Sequence, residues 1–290
     1  MITLADVRVG IDRVDSEIKK LFIERMGLAD QVAQVKAQTA DEIYKPDREV
    51  AIIEKQSKGM PDNLVMEYKA LVKRVMEVSR KYQYGRTLEL RDCFPYEYLE
   101  VQPAYEQVAM VKQELYICDM FDKDSVITVN NYKEIGNLIM EGKADAGVGI
   151  IETIGRGVSD PLNTMLLKNH LYINHCKVVE DGGEKVKVVG FTKNLVVTDR
   201  HNRLKIVFVC PNKSGALGSI LSMIADYGVN LTEIHSIPFK DGDSWNYRFF
   251  AELELNLLSK ENKALLFQLT EETPYLQVLG SYHCEGDFVQ

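Results

Sequence analysis

Residues 4–25 read LADVRVGIDRVDSEIKKLFIER, and the spacing of their apolar side chains decides the fold of the N-terminal part. Leu4, Val7, Ile11, Val14, Ile18 and Leu21 recur every three or four positions, and Leu28, Val32 and Val35 continue the series. In a helix such residues share one face. The beat after Leu21 falls on Arg25, so a guanidinium interrupts the apolar stripe. Desolvating it there is costly unless something negative meets it. Lys36 follows on the same helix, only about 20° further around. Two cations in an apolar seam describe a pocket for a small dianion.

Working outward, this helix runs to around Ala37, and a polar break follows from Gln38 to Glu42. Pro46 suits the first turn of a second helix, with Asp47 and Glu49 at its positive end. Gly59, Met60 and Pro61 stop it, and Asp62 is placed to cap a third helix. The third stripe is Leu64, Tyr68, Leu71, Val75 and Tyr82, with Ser79 interrupting it and Gln83 one turn on. So long a first helix cannot bury its face against two shorter ones. The sequence therefore predicts an interlocked homodimer through this segment, residues 1–87.

From 88 to 200 the pattern alternates in the manner of a small α/β lobe. Strands are expected over 125–129, 144–151, 171–179 and 185–197, and helices over 132–141 and 161–168, with a turn at Asp181, Gly182 and Gly183. From 201 to 290 the rhythm is βαββαβ: strands 204–210, 229–239, 245–255 and 275–282, and helices 214–227 and 261–271. That order is ferredoxin-like. The expected fold is thus multidomain: an all-α domain, a small α/β lobe and a ferredoxin-like domain.

Composition narrows the function. Hydrophobic residues make up 46% of the 290 and charged ones 27%, and the net charge is −8. That balance argues against nucleic acid or an anionic membrane as partners. No leader-like apolar region and no run near the roughly 20 residues of a membrane span are found. Cys93, Cys118, Cys176, Cys210 and Cys284 form no C-x-x-C pair, which fits reduced thiols in the cytoplasm. The histidines have no ligand spacing, so no metal is expected.

The first segment resembles the all-helical class of chorismate mutases, in which an intertwined dimer rearranges chorismate to prephenate with no cofactor. The resemblance rests on Arg8, Arg25, Lys36, Arg48, Glu49, Ser79 and Gln83, and departs at Lys45, where an acidic residue is usual. It implies that Arg25, with Arg8 from the partner chain, binds the two carboxylates and Ser79 supports one. Lys36 and Gln83 donate to the ether oxygen, Glu49 accepts from the ring hydroxyl, and Arg48 adds positive potential. Such a pericyclic reaction needs no nucleophile. It gains from holding a compact conformer and from stabilising charge on the breaking ether bond.

The rest resembles a prephenate dehydratase with its ACT domain, a phenylalanine-sensing module, in a P-protein-like arrangement. Pro211-Asn212-Lys213-Ser214-Gly215-Ala216-Leu217 matches the ACT turn, and Thr232 to Pro238 the second ACT motif, with His235 and Ile237 as departures and Ser236 and Pro238 retained. The resemblance implies an effector site at Asn212, Ser214, Gly215, Ala216, Leu217, His235 and Ser236, with phenylalanine as effector. In the lobe, Glu152-Thr153-Ile154, Gln102 to Glu106 and Thr192-Lys193-Asn194 stand where the dehydratase motifs belong, each altered, and the second lobe is missing. The expectation is a regulated mutase without dehydratase activity. A bifunctional enzyme still forming phenylpyruvate, or a silent amino-acid sensor, are the alternatives.

Overall fold

The structure is a computed structural model that describes residues 2–120, 126–181, 183–242 and 244–286. Ser125 and Gly182, expected in a strand and a turn, lie outside the described residues. The chain falls into two compact units, Met1–Phe94 and Pro95–Gln290.

The first unit is helical: α1 (Leu4–Thr39), α2 (Pro46–Ser57) and α3 (Val65–Leu90). Thr3 opens α1 with a reciprocal capping box to Asp6, which satisfies two otherwise orphaned N–H groups. Pro46 occupies the first turn of α2, where its missing N–H costs nothing. Asp62 does not cap α3. Residues Asp62–Leu64 instead tighten into a 3-10 turn after Pro61, and Leu64 precedes α3 with no side-chain cap. α3 also continues to Leu90, past the boundary expected at residue 87.

The buried faces differ from the stripes read in the sequence. Within one chain α1 buries only Ala29 and Ala33, and Leu4, Val7, Ile11, Val14, Ile18, Leu21, Leu28, Val32 and Val35 are 43–66% exposed. On α3 the buried residues are Val72, Met76, Ser79, Arg80, Gln83, Tyr84 and Thr87, while Leu64, Leu71 and Tyr82 face out. A polar face of α3 thus meets α1 and α2, and the long apolar stripe of α1 is left uncovered by its own chain.

The second unit is built on one eleven-stranded sheet. Its elements are β1 (Val108–Val111), β2 (Val126–Val129), α4 (Tyr132–Met140), β3 (Ala146–Thr153), β4 (Gly157–Val158), α5 (Asp160–Asn169), β5 (Tyr172–Asp181), β6 (Glu184–Thr192), β7 (Arg203–Val209), α6 (Ala216–Asp226), β8 (Asn230–Asp241), β9 (Ser244–Glu254), α7 (Lys260–Glu272), β10 (Tyr275–Tyr282) and β11 (Cys284–Glu285). The order is β2-β1-β3-β6-β5-β10-β7-β9-β8, with β4 beside β3 and β11 beside β5. β1 has no counterpart in the sequence expectation. Its four residues are all buried, so they carry no alternation to read. Strands β7 to β10, in the order β10-β7-β9-β8, keep the ferredoxin-like order expected of βαββαβ.

The boundary expected at residue 200 falls inside this unit, because β5 and β10 join the two parts into one sheet. Among the described residues they pair through Gly280 and Ile173 alone. Gly280 has φ +154°, and a Cβ there would lie 2.2 Å from the Ile173 carbonyl oxygen, so only glycine fits the seam. Beyond it, Cys176 and Cys284 face each other on β5 and β11 with sulfurs 2.7 Å apart.

A layer of charge is buried in the sheet. Lys187 meets Glu152 and Glu252 at 3.3 and 3.7 Å, and Arg203 meets Glu254 at 3.1 Å. Lys205, 1% exposed, lies 2.9 Å from Glu233. Burial alone would raise the Glu233 carboxyl, but hydrogen bonds from His235 and Lys205 and the Lys205 charge outweigh it and hold it at about 2 instead of the ordinary 4.5. A carboxyl depressed in the folded state stabilises the fold above its unfolded pKa and ceases to do so as pH falls. The stability gap between wild type and Glu233→Gln, followed by chemical denaturation, is therefore widest near neutrality and closes from about pH 4.5 toward pH 2. A gap that stays constant over that window would remove the ion pair from the account.

Candidate functional site

Arg25 turns from α1 toward α3. Its guanidinium donates to the Val75 carbonyl at 3.3 Å and to the Ser79 hydroxyl, which in turn donates to Val75 at 2.9 Å. The two acceptors are neutral, so its charge is solvated but not cancelled there. Burial holds its pKa below the ordinary arginine value, and the Glu49 charge opposes that shift. One turn beyond Ser79, Gln83 is buried and donates from Nε2 to the Ser79 carbonyl at 3.2 Å. Its Oε1 is buried with no hydrogen-bond partner among the described residues.

Lys36, near the end of α1, is half-buried and donates to the carbonyls of Glu42 and Ile43 at 2.7 and 3.0 Å. The polar break after α1 folds back and fixes the ammonium with backbone oxygens. Burial lowers its pKa; Asp41 and Glu49 favour the charged form, and Lys45 and Arg48 disfavour it. Glu49, on the first turn of α2, accepts two bonds from Nη1 of Arg80, at 2.5 and 2.6 Å. The Arg80 guanidinium also lies 4.7 Å from the centre of the Tyr44 ring. Arg80 is buried and was not singled out by the sequence. The signal that points to it is its place next to Ser79, on the polar face of α3.

Glu49 acts electrostatically on both Arg25 and Lys36, and Arg48 acts on Lys36. Arg8 is not among them; it is exposed on α1, about 25 Å along the helix from Arg25 at 1.5 Å per residue. Arg48 is exposed as well. Lys45 is paired with both oxygens of Asp41 at 2.8 Å, so this departure adds no net charge to the site. Arg25, Lys36, Arg48 and Arg80 stand against the single carboxylate of Glu49. That excess of positive charge suits a dianion.

In the second unit, Gly215 precedes α6 with φ +78°, and a Cβ there would meet nothing, so the backbone conformation alone calls for glycine. Asn212, Ser214 and Gly215 are exposed at this turn, and Ala216 and Leu217 are partly covered. His235 and Ser236 are neighbours on β8, so their side chains lie on opposite faces of the sheet. His235 is held by Glu233 at 2.9 Å and stacked on Phe250 with ring centres 5.0 Å apart, while Ser236 is exposed.

The positions of the altered dehydratase motifs are occupied with structural bonds. Glu152 pairs with Lys187, Thr192 accepts from Asn174 at 2.7 Å, and Lys193 donates to the Met140 carbonyl at 3.3 Å. Gln102 and Tyr105 line an open cleft of about 620 Å³ with Asn174, His175, His201 and His283. Among the described residues no group of metal-ligating side chains occurs, and no helix is long and apolar enough to cross a membrane.

Residues 7–84 match the chorismate mutase type II family, and residues 205–255 match the ACT domain family. The chain joins a chorismate mutase domain to an ACT domain. The region between them and the ACT domain together have a prephenate dehydratase-like fold. A bifunctional chorismate mutase/prephenate dehydratase of Aquifex aeolicus is 24% identical over 362 aligned positions, covering 96% of this chain and 97% of the relative. That span exceeds the 290 residues of this chain, so the relative carries sequence that this one lacks. Among solved structures, the prephenate dehydratase of Arthrobacter aurescens in complex with L-Phe has a TM-score of 0.50 at 15% identity, over 61% of this chain and 89% of that one. The quorum quenching acylase GqqA has a TM-score of 0.54 at 17% identity, over 61% and 94%. At such identities these two likenesses concern the fold alone.

Proposed function

We propose that the mutase domain converts chorismate to prephenate and that the ACT domain regulates it with an aromatic amino acid, phenylalanine first. The observation that carries the reading is Arg25: a half-buried guanidinium that meets neutral oxygens, within an excess of positive charge gathered around one carboxylate. Such a cation is ready to bind a carboxylate, and Ser79 stands beside it. Lys36 and Gln83 donate to the ether oxygen as negative charge grows there. Glu49 accepts from the ring hydroxyl, and Arg48 adds positive potential from the rim. The reaction is intramolecular, so holding the substrate in its compact form supplies much of the rate.

The proposed enzyme is a homodimer. The uncovered face of α1 calls for a second copy, and Arg8, remote from its own Arg25, then serves the site of the partner chain. We infer a cytoplasmic enzyme of aromatic amino-acid biosynthesis. The dehydratase reaction is lost in this reading, because the positions of its motifs are altered and engaged in structural bonds.

Pure protein mixed with chorismate consumes its absorbance, and prephenate supplied directly is returned without phenylpyruvate. Arg25→Ala and Lys36→Ala each lower turnover by on the order of 10²–10³; near-normal rates in both would overturn the site. Sedimentation gives twice the chain mass, and a monomer at micromolar concentration would dispose of the shared site. Phenylalanine gives heat in calorimetry and changes mutase activity through a coupling of about 1–3 kcal/mol. Absence of both heat and effect with phenylalanine and tyrosine would end the regulatory part.

A further inference from the structure

Arg80 makes a close, buried ion pair near the site that the mutase reading does not use. It is 7% exposed, and its Nη1 reaches both oxygens of Glu49 at 2.5 and 2.6 Å. Tyr44, on the segment before α2, lies under the guanidinium at 4.7 Å. Three stretches of chain thus fix one cation against a carboxylate that acts electrostatically on both Arg25 and Lys36.

A buried ion pair is weak evidence of a stabilising role, since desolvation offsets most of the attraction. Its effect on the site is easier to state. Left alone, Glu49 would set a negative charge against an incoming dianion and would cancel part of the pull of Arg25 and Lys36. Paired with Arg80, it contributes no net charge. The pair also holds the carboxylate ionised and in one orientation. A carboxylate oxygen carries two lone pairs, so one oxygen can accept from Arg80 and from a ligand hydroxyl together. Lys45 does not supply this cation, because it is bound to Asp41.

The geometry points to Arg80 as a positioning residue of the mutase site, one that keeps Glu49 ionised and oriented while removing its repulsion of the dianionic substrate. This rests on the mutase reading above. Arg80 acts through Glu49, so the two side chains must be coupled in catalysis. A double-mutant cycle measures that coupling.

In the wild-type background, Arg80→Met lowers kcat/KM for chorismate about tenfold or more, and Arg80→Lys recovers part of the loss by keeping the charge. In a Glu49→Gln background, the same Arg80→Met change costs no more than about twofold. The acid limb of the kcat/KM profile moves to higher pH in Arg80→Met, because Glu49 then takes up its proton more readily. Equal losses in both backgrounds, or an unmoved acid limb, would overturn the proposal. Where Arg80→Met does not fold, judged by circular dichroism, Arg80→Lys is run through the same cycle. Wild-type protein without turnover would bring down the mutase reading and this proposal together, whereas an active wild type with additive losses brings down only the latter.

Discussion

The helical unit is organised around a cation that its own helix cannot solvate. Arg25 interrupts an apolar stripe, and a guanidinium taken from water must recover hydrogen bonds from the protein. α3 answers with the Val75 carbonyl and the Ser79 hydroxyl, both neutral. That choice matters more than the bonds themselves. A carboxylate in the same place would have closed an ion pair and left nothing for a ligand. Neutral acceptors orient the group and keep its charge available. Lys36 is treated alike, pinned by the backbone oxygens of Glu42 and Ile43. Both cations are partly desolvated and both are held by dipoles, which is how a site is preorganised for negative charge.

The periodicity of α1 and the placement of Arg25 and Lys36 could be read from the sequence because helical spacing is local. Pairings across distant elements could not. Arg80 and Glu49 are 31 residues apart on different helices, and nothing in either local pattern announces the bond. The same holds for α3. Its apolar beat picks out Leu64, Tyr68, Leu71, Val75 and Tyr82, yet its buried face is Val72, Met76 and Tyr84 together with Ser79, Arg80, Gln83 and Thr87, with Ser79 facing Arg25 of α1 and Arg80 facing Glu49 of α2. The Asp62 cap failed for a geometric reason, a tight turn after Pro61 that no composition rule specifies. β1 escaped notice since all four of its residues are buried. His235 sits in the right motif, but the strand period puts it opposite Ser236 and binds it to Glu233.

The α/β unit depends on a different constraint, the continuity of a single sheet across two folding patterns. Where β10 meets β5 that continuity narrows to Gly280, where any side chain would strike the Ile173 backbone, and β11 resumes the pairing with β5 at Cys284 and Glu285. On the sheet around this seam lie Lys187, Arg203, Lys205 and Glu252, all buried, with Glu152 and Glu233 partly buried against them. Charges placed so deep are tolerable only as a complete set, since removing one leaves another unpaired at a cost of several kcal/mol. The network therefore ties strands of the dehydratase-like part to strands of the ACT part, Glu152 on β3 through Lys187 to Glu252 on β9.

This binding of charge within the sheet also bears on what the middle of the chain can do. Glu152 is paired with Lys187, Thr192 accepts from Asn174, and Lys193 caps the carbonyl of Met140. These side chains hold strands and a helix end together. In the helical unit Arg25 and Lys36 rest on neutral oxygens, while Arg80 is paired with Glu49 and Lys45 with Asp41. The same residue types serve both units, and what distinguishes Arg25 and Lys36 is that the hydrogen-bond partners of each are neutral oxygens.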